Sequence, residues 1–357
     1  MPFLHTGCFT SHLATISDLI QSIEMLNCVC DTHCHLGVKA TVQDVERLVS
    51  FISSEESDQR PQSFSVMSTN HLDLALLEHL IKHDHTKAIM PYFGIHPWYS
   101  HLFTLDPTLS KEQHYTECLS PAPDDQLLSL LPHPIILDAH MARIRHIAEE
   151  CHRNKIRYGI GEIGLDKSFR LPSNGFYGNQ NVSEDIKLTK CKVSISHQLR
   201  VLQTQLALAH ELQVSVSLHC VKAHGALFDL LKQNYDAISL VVLHSYSGSL
   251  EQARVWIRTF EKQSRKIAFS FSNIINAADN KVDTLEELVK SLSDAQTLAE
   301  TDLPLDEYLL PGRLQEYYEH LRKVLSTISR ANGRLVEEES EVLEDTTRVL
   351  NLIQNIA

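Results

Sequence analysis

Short apolar segments that favour β-strands alternate with helical patterns along most of this chain, and this alternation constrains the fold more than any other feature. Eight predicted strands that alternate with helices indicate a parallel sheet with helical crossovers. A closed barrel of eight such units needs about 250 residues, which a chain of 357 residues can supply. We therefore predict an α/β fold: a TIM-like (β/α)8 barrel, a single domain with insertions and a C-terminal helical extension.

The predicted boundaries follow from where the alternation starts, breaks and stops. The predicted strands cover residues 26–30, 63–68, 88–93, 155–162, 214–218, 238–243, 267–271 and 297–299. Around them we predict an N-terminal helical extension over residues 1–25, the barrel over residues 26–312 and a C-terminal helical extension over residues 313–357. Two stretches interrupt the pattern. Residues 100–137 contain five prolines and predict a long irregular insertion, and residues 167–190 predict a second insertion over the mouth of the barrel.

Histidines and acidic residues stand where the predicted strands end. In a parallel barrel the carboxyl ends of all strands form one rim, where barrel enzymes build their sites, so these side chains should converge. In chain order they are His33 and His35 after the first strand, His96 after the third, Glu162 at the end of the fourth, His219 of the fifth, His244 of the sixth and Asp302 after the eighth.

Imidazoles and carboxylates of this kind are the usual ligands of a borderline divalent ion, and the set is large enough for two ions. We predict that Glu162 bridges them, that His33, His35 and Asp302 complete one ion, and that His219 and His244 complete the other. Two such ions clamp both oxygens of a phosphoryl transfer and lower the pKa of water. Glu162 and Asp302 are therefore the predicted catalytic residues, with Asp302 placed to orient or deprotonate the attacking water.

Each of these residues also has a structural interpretation. The H-x-H pair could lie on the surface, because the chain contains 21 histidines. His219 could be a hydrogen-bonded core histidine, and His96, which precedes a proline, could brace a turn. The joint placement of all these side chains at strand ends favours metal binding over these separate explanations.

Composition limits the classes of function. The formal net charge of -13 argues against a broad electrostatic grip on nucleic acid, although a phosphodiester held by bound metal ions remains compatible with it. The eight cysteines lack paired zinc-finger spacing and predict reduced thiols in an intracellular protein. The cluster of Cys28, Cys30 and Cys34 could hold a soft metal, but burial in a strand explains it better. No membrane span or secretory signal is predicted, which leaves the cytoplasm or the nucleus.

Taken together, the motifs resemble those of the TatD family of metal-dependent hydrolases. They appear in the family's order between about residues 27 and 310, and as a set they are highly specific. The motifs are DTHCH at 31–35, GIHP at 94–97, GEIGLD at 161–166, LH at 218–219, HSYSG at 244–248 and ETDLP at 300–304. The extended sequence at 167–172 is similar to a fungal branch of the family, some of whose members are labelled as interaction proteins.

The resemblance implies a (β/α)8 fold and metal-dependent deoxyribonuclease activity, often 3′ to 5′, on DNA as substrate. It matches its metal ligands to His33, His35, Glu162, His219, His244 and Asp302. It also implies substrate contacts by His96 and by Lys222, which stands one position later than the arginine of many relatives. The family is usually magnesium-dependent, whereas the histidines of this set suit zinc or manganese better.

Two hypotheses from different classes follow. The first is a phosphodiesterase that trims single-stranded or frayed 3′ ends of DNA with water activated by two metal ions. The second is an adaptor that keeps the metal-bound barrel and binds a protein partner through the insertions or the C-terminal helices. Hydrolysis of an amide or ester by the same centre is a close third, because bond types within this barrel class do not follow from sequence.

Overall fold

A computed structural model describes residues 30–53, 63–179, 186–278, 281–310 and 312–333. The predicted N-terminal helical extension and residues 334–357 of the predicted C-terminal extension lie outside the described residues. Within them, eight parallel strands form the frame of the molecule. Their bounds are β1 Cys30–His35, β2 Ser63–Met67, β3 Ile89–Tyr92, β4 Ile160–Asp166, β5 Val216–Val221, β6 Val241–Leu243, β7 Ile267–Ser272 and β8 Thr297–Glu300.

The strands close into a barrel in chain order. One parallel sheet runs β1-β2-β3, and a second runs β4-β5-β6-β7-β8. The two sheets join at both edges through backbone hydrogen bonds: the Phe93 amide donates to the Gly159 carbonyl at 3.1 Å, and the His35 amide donates to the Leu303 carbonyl at 2.9 Å. The predicted (β/α)8 barrel is confirmed.

Helices cover the outside of the barrel, and most begin at a side-chain cap. Thr41 and Asn70 form capping boxes at the first two helices, each accepting from a backbone amide of the first turn. The bounds are α1 Val42–Ile52, α2 His71–His83, α3 Lys111–Cys118, α4 Asp125–Leu130, α5 Leu137–Arg153, α6 Ile195–Leu212, α7 His224–Leu231, α8 Leu250–Lys262, α9 Val282–Val289, α10 Leu305–Tyr308 and α11 Leu314–Ala331. In the described part of the chain, 3-10 helices span Pro97–Leu102 and Asp294–Gln296.

The prediction that residues 100–137 are irregular is wrong. The segment forms α3 and α4, and its Leu119–Ser120 pairs antiparallel with Lys192–Val193 of the chain that follows the second insertion. The five prolines favoured an irregular segment in the prediction. The apolar residues between them nevertheless pack against one another and form a small core of their own. That core contains Tyr115, Cys118, Leu119, Leu127, Leu131, Leu171, Cys191 and Val193.

Helix α11 takes the place of the eighth barrel helix. It follows β8, and its buried side chains, among them Tyr317, Leu321 and Val324, belong to the main core. The domain boundary at residue 312 stays a prediction. Helix α11, which begins two residues after it, packs on the barrel. Among the described residues, six cysteines are free thiols and no helix is long and apolar enough to cross a membrane.

Candidate metal centre

Glu162 lies inside β4, where it is 3% exposed. The prediction that it ends the strand is wrong, because β4 continues to Asp166, whose partner in β5 is Val221. Two glycines permit close packing around it. A Cβ on Gly94 would lie 2.6 Å from the Gly161 carbonyl carbon, and a Cβ on Gly164, which has a φ of +152°, would lie 1.9 Å from the His219 carbonyl oxygen.

The two carboxylate oxygens of Glu162 face two different groups of histidines. Oε2 lies 3.5 Å from His33 Nε2 and 3.4 Å from His35 Nε2. Asp302 completes this side, since its Oδ1 lies 3.3 Å from His35 Nε2. The prediction that both histidines follow the first strand is wrong, because His33 lies within β1 and His35 is its last residue. Their Nε2 atoms lie 3.1 Å apart.

On the other side, Oε1 of Glu162 faces three imidazoles. It lies 2.9 Å from His219 Nδ1, 2.8 Å from His244 Nε2 and 3.2 Å from His96 Nε2. His219 lies within β5 and His244 directly follows β6, so neighbouring strands position both. All six predicted ligands and His96 therefore converge on one rim of the barrel.

The chemistry of these donors fits a bound cation. His244 places Nε2 against Glu162 and Nδ1 3.2 Å from Glu300 Oε1. A neutral imidazole has a single N–H, so one of these nitrogens faces a carboxylate with a lone pair unless positive charge is added. His219 has the same problem between two carboxylates. Either an extra proton or a metal ion resolves it, and one carboxylate whose oxygens face separate imidazole groups suits a bridging ligand of two ions.

The side chains of the centre hold shifted pKa values that follow from these contacts. Burial opposes charge on His244, but the carboxylates of Glu162 and Glu300 outweigh it and raise its pKa well above the usual value. Burial likewise opposes charge on Glu162, but the surrounding histidines hold its pKa well below the usual range. Burial lowers the pKa of His96 to about 4, so His96 is neutral at physiological pH.

Sequence reasoning missed two carboxylates that hold the histidines from behind. Asp166 Oδ2 lies 3.2 Å from His219 Nε2, and it accepts a hydrogen bond from Trp98 Nε1 at 2.7 Å. Glu300, which is fully buried, contacts His244 and accepts from the Ser245 amide at 2.9 Å. Both stand in the quoted motifs GEIGLD and ETDLP, which was the available signal. Carboxylates in such positions fix the tautomer of a ligating histidine.

The two predicted substrate residues differ in position. His96 caps the 3-10 helix: its Nδ1 accepts from the Trp98 amide at 3.2 Å, which leaves the proton on Nε2 facing Glu162. Lys222 follows β5 with a φ of +54°, is exposed and stands outside the lining of the central cavity. Its predicted contact with substrate stays a prediction.

A cavity of about 650 Å³ opens over the centre. One part of its lining is the metal centre itself. The rest is largely apolar and is contributed by residues near β1, by α2, by the 3-10 helix Pro97–Leu102, by the segment after β7 and by the second insertion. The described residues Tyr177 and Gly178 of that insertion lie at the mouth, as predicted. The apolar lining includes Leu36, Val38, Leu72, Leu76, Trp98, Tyr99, Tyr177 and Ile275.

Comparisons with known proteins converge on one family. The family model described as TatD related DNase matches residues 30–351. The E. coli TatD homologue of known structure is similar in fold, with a TM-score of 0.56 and 20% sequence identity over 91% of this chain and 98% of that one.

Three curated proteins resemble the chain in sequence. An uncharacterized deoxyribonuclease of Saccharomyces cerevisiae is 34% identical over 86% of this chain and 93% of its own length. A Cut9-interacting protein of Schizosaccharomyces pombe is 31% identical over 66% of this chain and 78% of its own. A 3′-5′ ssDNA/RNA exonuclease of Salmonella typhimurium is 25% identical over 58% of this chain and 60% of its own.

Proposed function

The chain belongs to the TatD-related DNase family, and from this premise we propose that it is a metal-dependent phosphodiesterase that removes nucleotides from the 3′ end of single-stranded or frayed DNA. The observation that carries the proposal is the placement of Glu162, whose two oxygens face separate groups of imidazoles at one rim of the barrel. The names of the bacterial and yeast relatives support a nuclease and, for the bacterial one, 3′ to 5′ polarity.

In this proposal Glu162, His33, His35 and Asp302 would hold one divalent ion, and Glu162, His219 and His244 would hold a second. When bound, such ions supply Lewis-acid stabilisation of the phosphate and make water more acidic. Zinc or manganese suits the histidines, while magnesium is what the family resemblance implies.

The chain's own residues then divide the remaining work. Asp302 is partly exposed to the cavity, with a side chain 24% accessible, so its carboxylate can orient the attacking water and accept its proton. Neutral His96 carries a proton on Nε2 beside Glu162, from which it can donate a hydrogen bond to an oxygen of the scissile phosphate. The leaving group is the 3′ oxygen of the preceding nucleotide.

The test compares wild type with Glu162→Gln and Asp302→Asn on a 3′-labelled single strand with magnesium, manganese or zinc. Metal content is measured on the same preparations. Both variants should lose at least about a hundredfold in kcat/KM, consistent with removing a metal-bridging or proton-accepting group. Glu261→Gln changes an exposed glutamate in the last turn of α8, serves as the matched control and should stay at wild-type activity. Full activity of Glu162→Gln would contradict the site assignment.

The name of the fission yeast relative supports a second candidate, a role in binding a protein partner. The exposed side of α11 and the two insertions offer surface for it. The two functions are separable, because a docking partner should bind Glu162→Gln as tightly as wild type. If wild type retains metal yet cleaves no DNA, RNA or small phosphodiester, amide and ester substrates and the adaptor role become the better explanations.

A further inference from the structure

The cavity over the metal centre offers little positive charge of its own. Among the residues that the structure describes, no lysine or arginine lines it. Its lining instead adds acids beyond the centre, Asp73 and exposed Glu307, both on the side of β1, α2 and α10. A polynucleotide whose 3′ end enters this cavity carries a negative charge at every further phosphate, so its remaining length should avoid that side.

The opposite side of the mouth carries three lysines that the topology brings together: Lys167, Lys192 and Lys222, which we call the lysine cluster. Lys167 follows β4 and Lys222 follows β5, directly beyond the paired residues Asp166 and Val221. The Lys167 amide donates to the Val221 carbonyl at 3.1 Å, and Lys192 Nζ donates to the Lys167 carbonyl at 3.0 Å.

The cluster is accessible to solvent. All three lysines are exposed, and none forms an ion pair with a described acidic side chain. Asp166, the acid next in sequence, is turned inward: its carboxylate accepts from Trp98 and from the backbone amides of Ser168 and Phe169. Residues 167–192 contain five cationic and two acidic side chains in a chain whose net charge is -13.

We propose that the lysine cluster binds the backbone phosphates of a single-stranded nucleic acid whose 3′ end lies in the metal cavity. The inference rests on the proposed function. It names the surface that holds the strand on the 5′ side of the scissile bond. Asp166 and Val221 line the cavity, and each directly precedes one of the lysines in sequence. The cluster therefore lies next to the cavity.

Aromatic residues beside the cluster favour a single strand over a duplex. The rings of Trp98 and Phe169 stack with centroids 4.6 Å apart and 10° between their planes, and Tyr177 lies 6.2 Å from both. All three are partly exposed. Proteins that bind single strands without sequence preference combine cations along the backbone with aromatic rings for unpaired bases. Paired bases in a duplex would be shielded from these rings.

The experiment measures binding and hydrolysis separately. A variant with Lys167→Gln, Lys192→Gln and Lys222→Gln is compared with wild type. Binding is measured as the fluorescence anisotropy of a labelled oligothymidylate in the presence of calcium. Hydrolysis of the oligonucleotide and of bis(p-nitrophenyl) phosphate is measured with the active metal. Oligonucleotide affinity should fall about tenfold or more at low salt, and the slope of log K against log salt should shrink by about two, near 0.7 for each lost phosphate contact. Hydrolysis of the small phosphodiester should fall less than hydrolysis of the oligonucleotide, because the small substrate has no phosphate beyond the scissile one.

A matched control exists at the other end of the barrel. Lys155, Lys262 and Lys266 are exposed and stand before β4, at the end of α8 and before β7. Lys155→Gln, Lys262→Gln and Lys266→Gln together make the same change in charge, and Lys155 also shares the φ of Lys222, 54° in both. This control should bind the oligonucleotide like wild type.

Three outcomes would overturn the proposal. The two triple variants could weaken oligonucleotide binding equally, which would show that binding depends on net charge and not on the position of the lysines. The cluster variant could keep wild-type affinity and salt dependence. Polyglutamate could compete as well as an oligonucleotide of equal charge, which would assign the surface to an acidic protein segment. Absence of all phosphodiester hydrolysis by wild type would instead contradict the proposed function, and the binding assay would still decide the role of the cluster.

Discussion

Asp166 and His219 form a direct contact, with Oδ2 and Nε2 3.2 Å apart, while the other nitrogen of the same imidazole lies 2.9 Å from Glu162. Burial opposes charge on His219, but the hydrogen bonds to Asp166 and Glu162 outweigh it and raise its pKa above the usual value. Asp166 therefore acts on the centre through His219, as a positioning residue, and the same carboxylate holds the indole of Trp98.

Replacing Asp166 by asparagine should weaken the centre without unfolding the protein. Asparagine has one acceptor oxygen, whereas Asp166 uses one oxygen toward His219 and Trp98 and the other toward the backbone amides of the following turn. The amide therefore cannot satisfy both sides, and the tautomer of His219 is no longer fixed. Loss of such a contact typically costs about 10- to 100-fold in metal affinity or activity. Metal titration by calorimetry checks the expectation. Asp106→Asn is the control, since Asp106 accepts from Thr108 in a similar turn outside the cavity. Equal metal affinity of the two variants would contradict the role of Asp166.

Acid should destabilise the packing of the first insertion against α6, through buried histidines in both. His101, His114 and His197 each contact a backbone carbonyl through Nε2 and are buried without a carboxylate partner. Burial lowers the pKa of His101 to about 3 and that of His197 to about 4. The unfolded chain takes up their protons near pH 6.5 and the folded chain does not, so stability present above that pH is lost as the pH falls toward the folded values.

Urea midpoints between pH 7.5 and 4.5 measure this loss, which should approach at most about 1.4 kcal/mol per pH unit for each histidine. His197→Gln keeps an N–H donor and removes the titration, so its stability should depend less steeply on pH than that of wild type. His146→Gln is the control, because His146 is 66% exposed. Identical pH profiles for His197→Gln and wild type would refute the assignment.

Removing the hydroxyl of Tyr317 should show that α11 is part of the barrel. Tyr317 Oη donates at 2.8 Å to Asp31 Oδ2, and both residues are fully buried. Asp31 also accepts from Thr301 and from the His33 amide, so it ties β1 to β8 and α11. Tyr317→Phe should cost about 1–3 kcal/mol in unfolding free energy, because a buried acceptor loses its donor. Tyr308→Phe, on a partly exposed ring, is the control.

A matched pair of glycines tests the packing of β4 on β5. Gly164→Ala would force a Cβ into the His219 carbonyl and impose a strained φ, so we expect a loss of several kcal/mol and of bound metal. Gly225, in α7, has nothing within 4 Å of an added Cβ. Gly225→Ala should leave metal content unchanged and raise stability by up to about 1 kcal/mol. Thermal unfolding and metal analysis of both variants test this expectation. A Gly164→Ala variant as stable as wild type would contradict the close contact.

The sequence by itself predicted the barrel, because alternation of strands and helices is a local pattern that each segment displays on its own. It also selected His33, His35, His96, Glu162, His219, His244 and Asp302, since polar residues at strand ends are visible without coordinates. Residence in the cytoplasm or nucleus and the identity of the metal stay predictions. Strand bounds were less accurate: His33, Glu162 and His219 lie inside their strands, because backbone pairing with a neighbouring strand continues regardless of side-chain polarity.

Tertiary structure alone decided which other residues support these side chains. Asp166 and Glu300 stand behind the histidines because neighbouring strands bring them there, and no local period encodes a contact between residues 53 or 56 positions apart. The lysine cluster depends in the same way on the register of β4 against β5. A sequence pattern reports the direction of a side chain relative to its own strand, whereas its partners depend on how distant strands are paired.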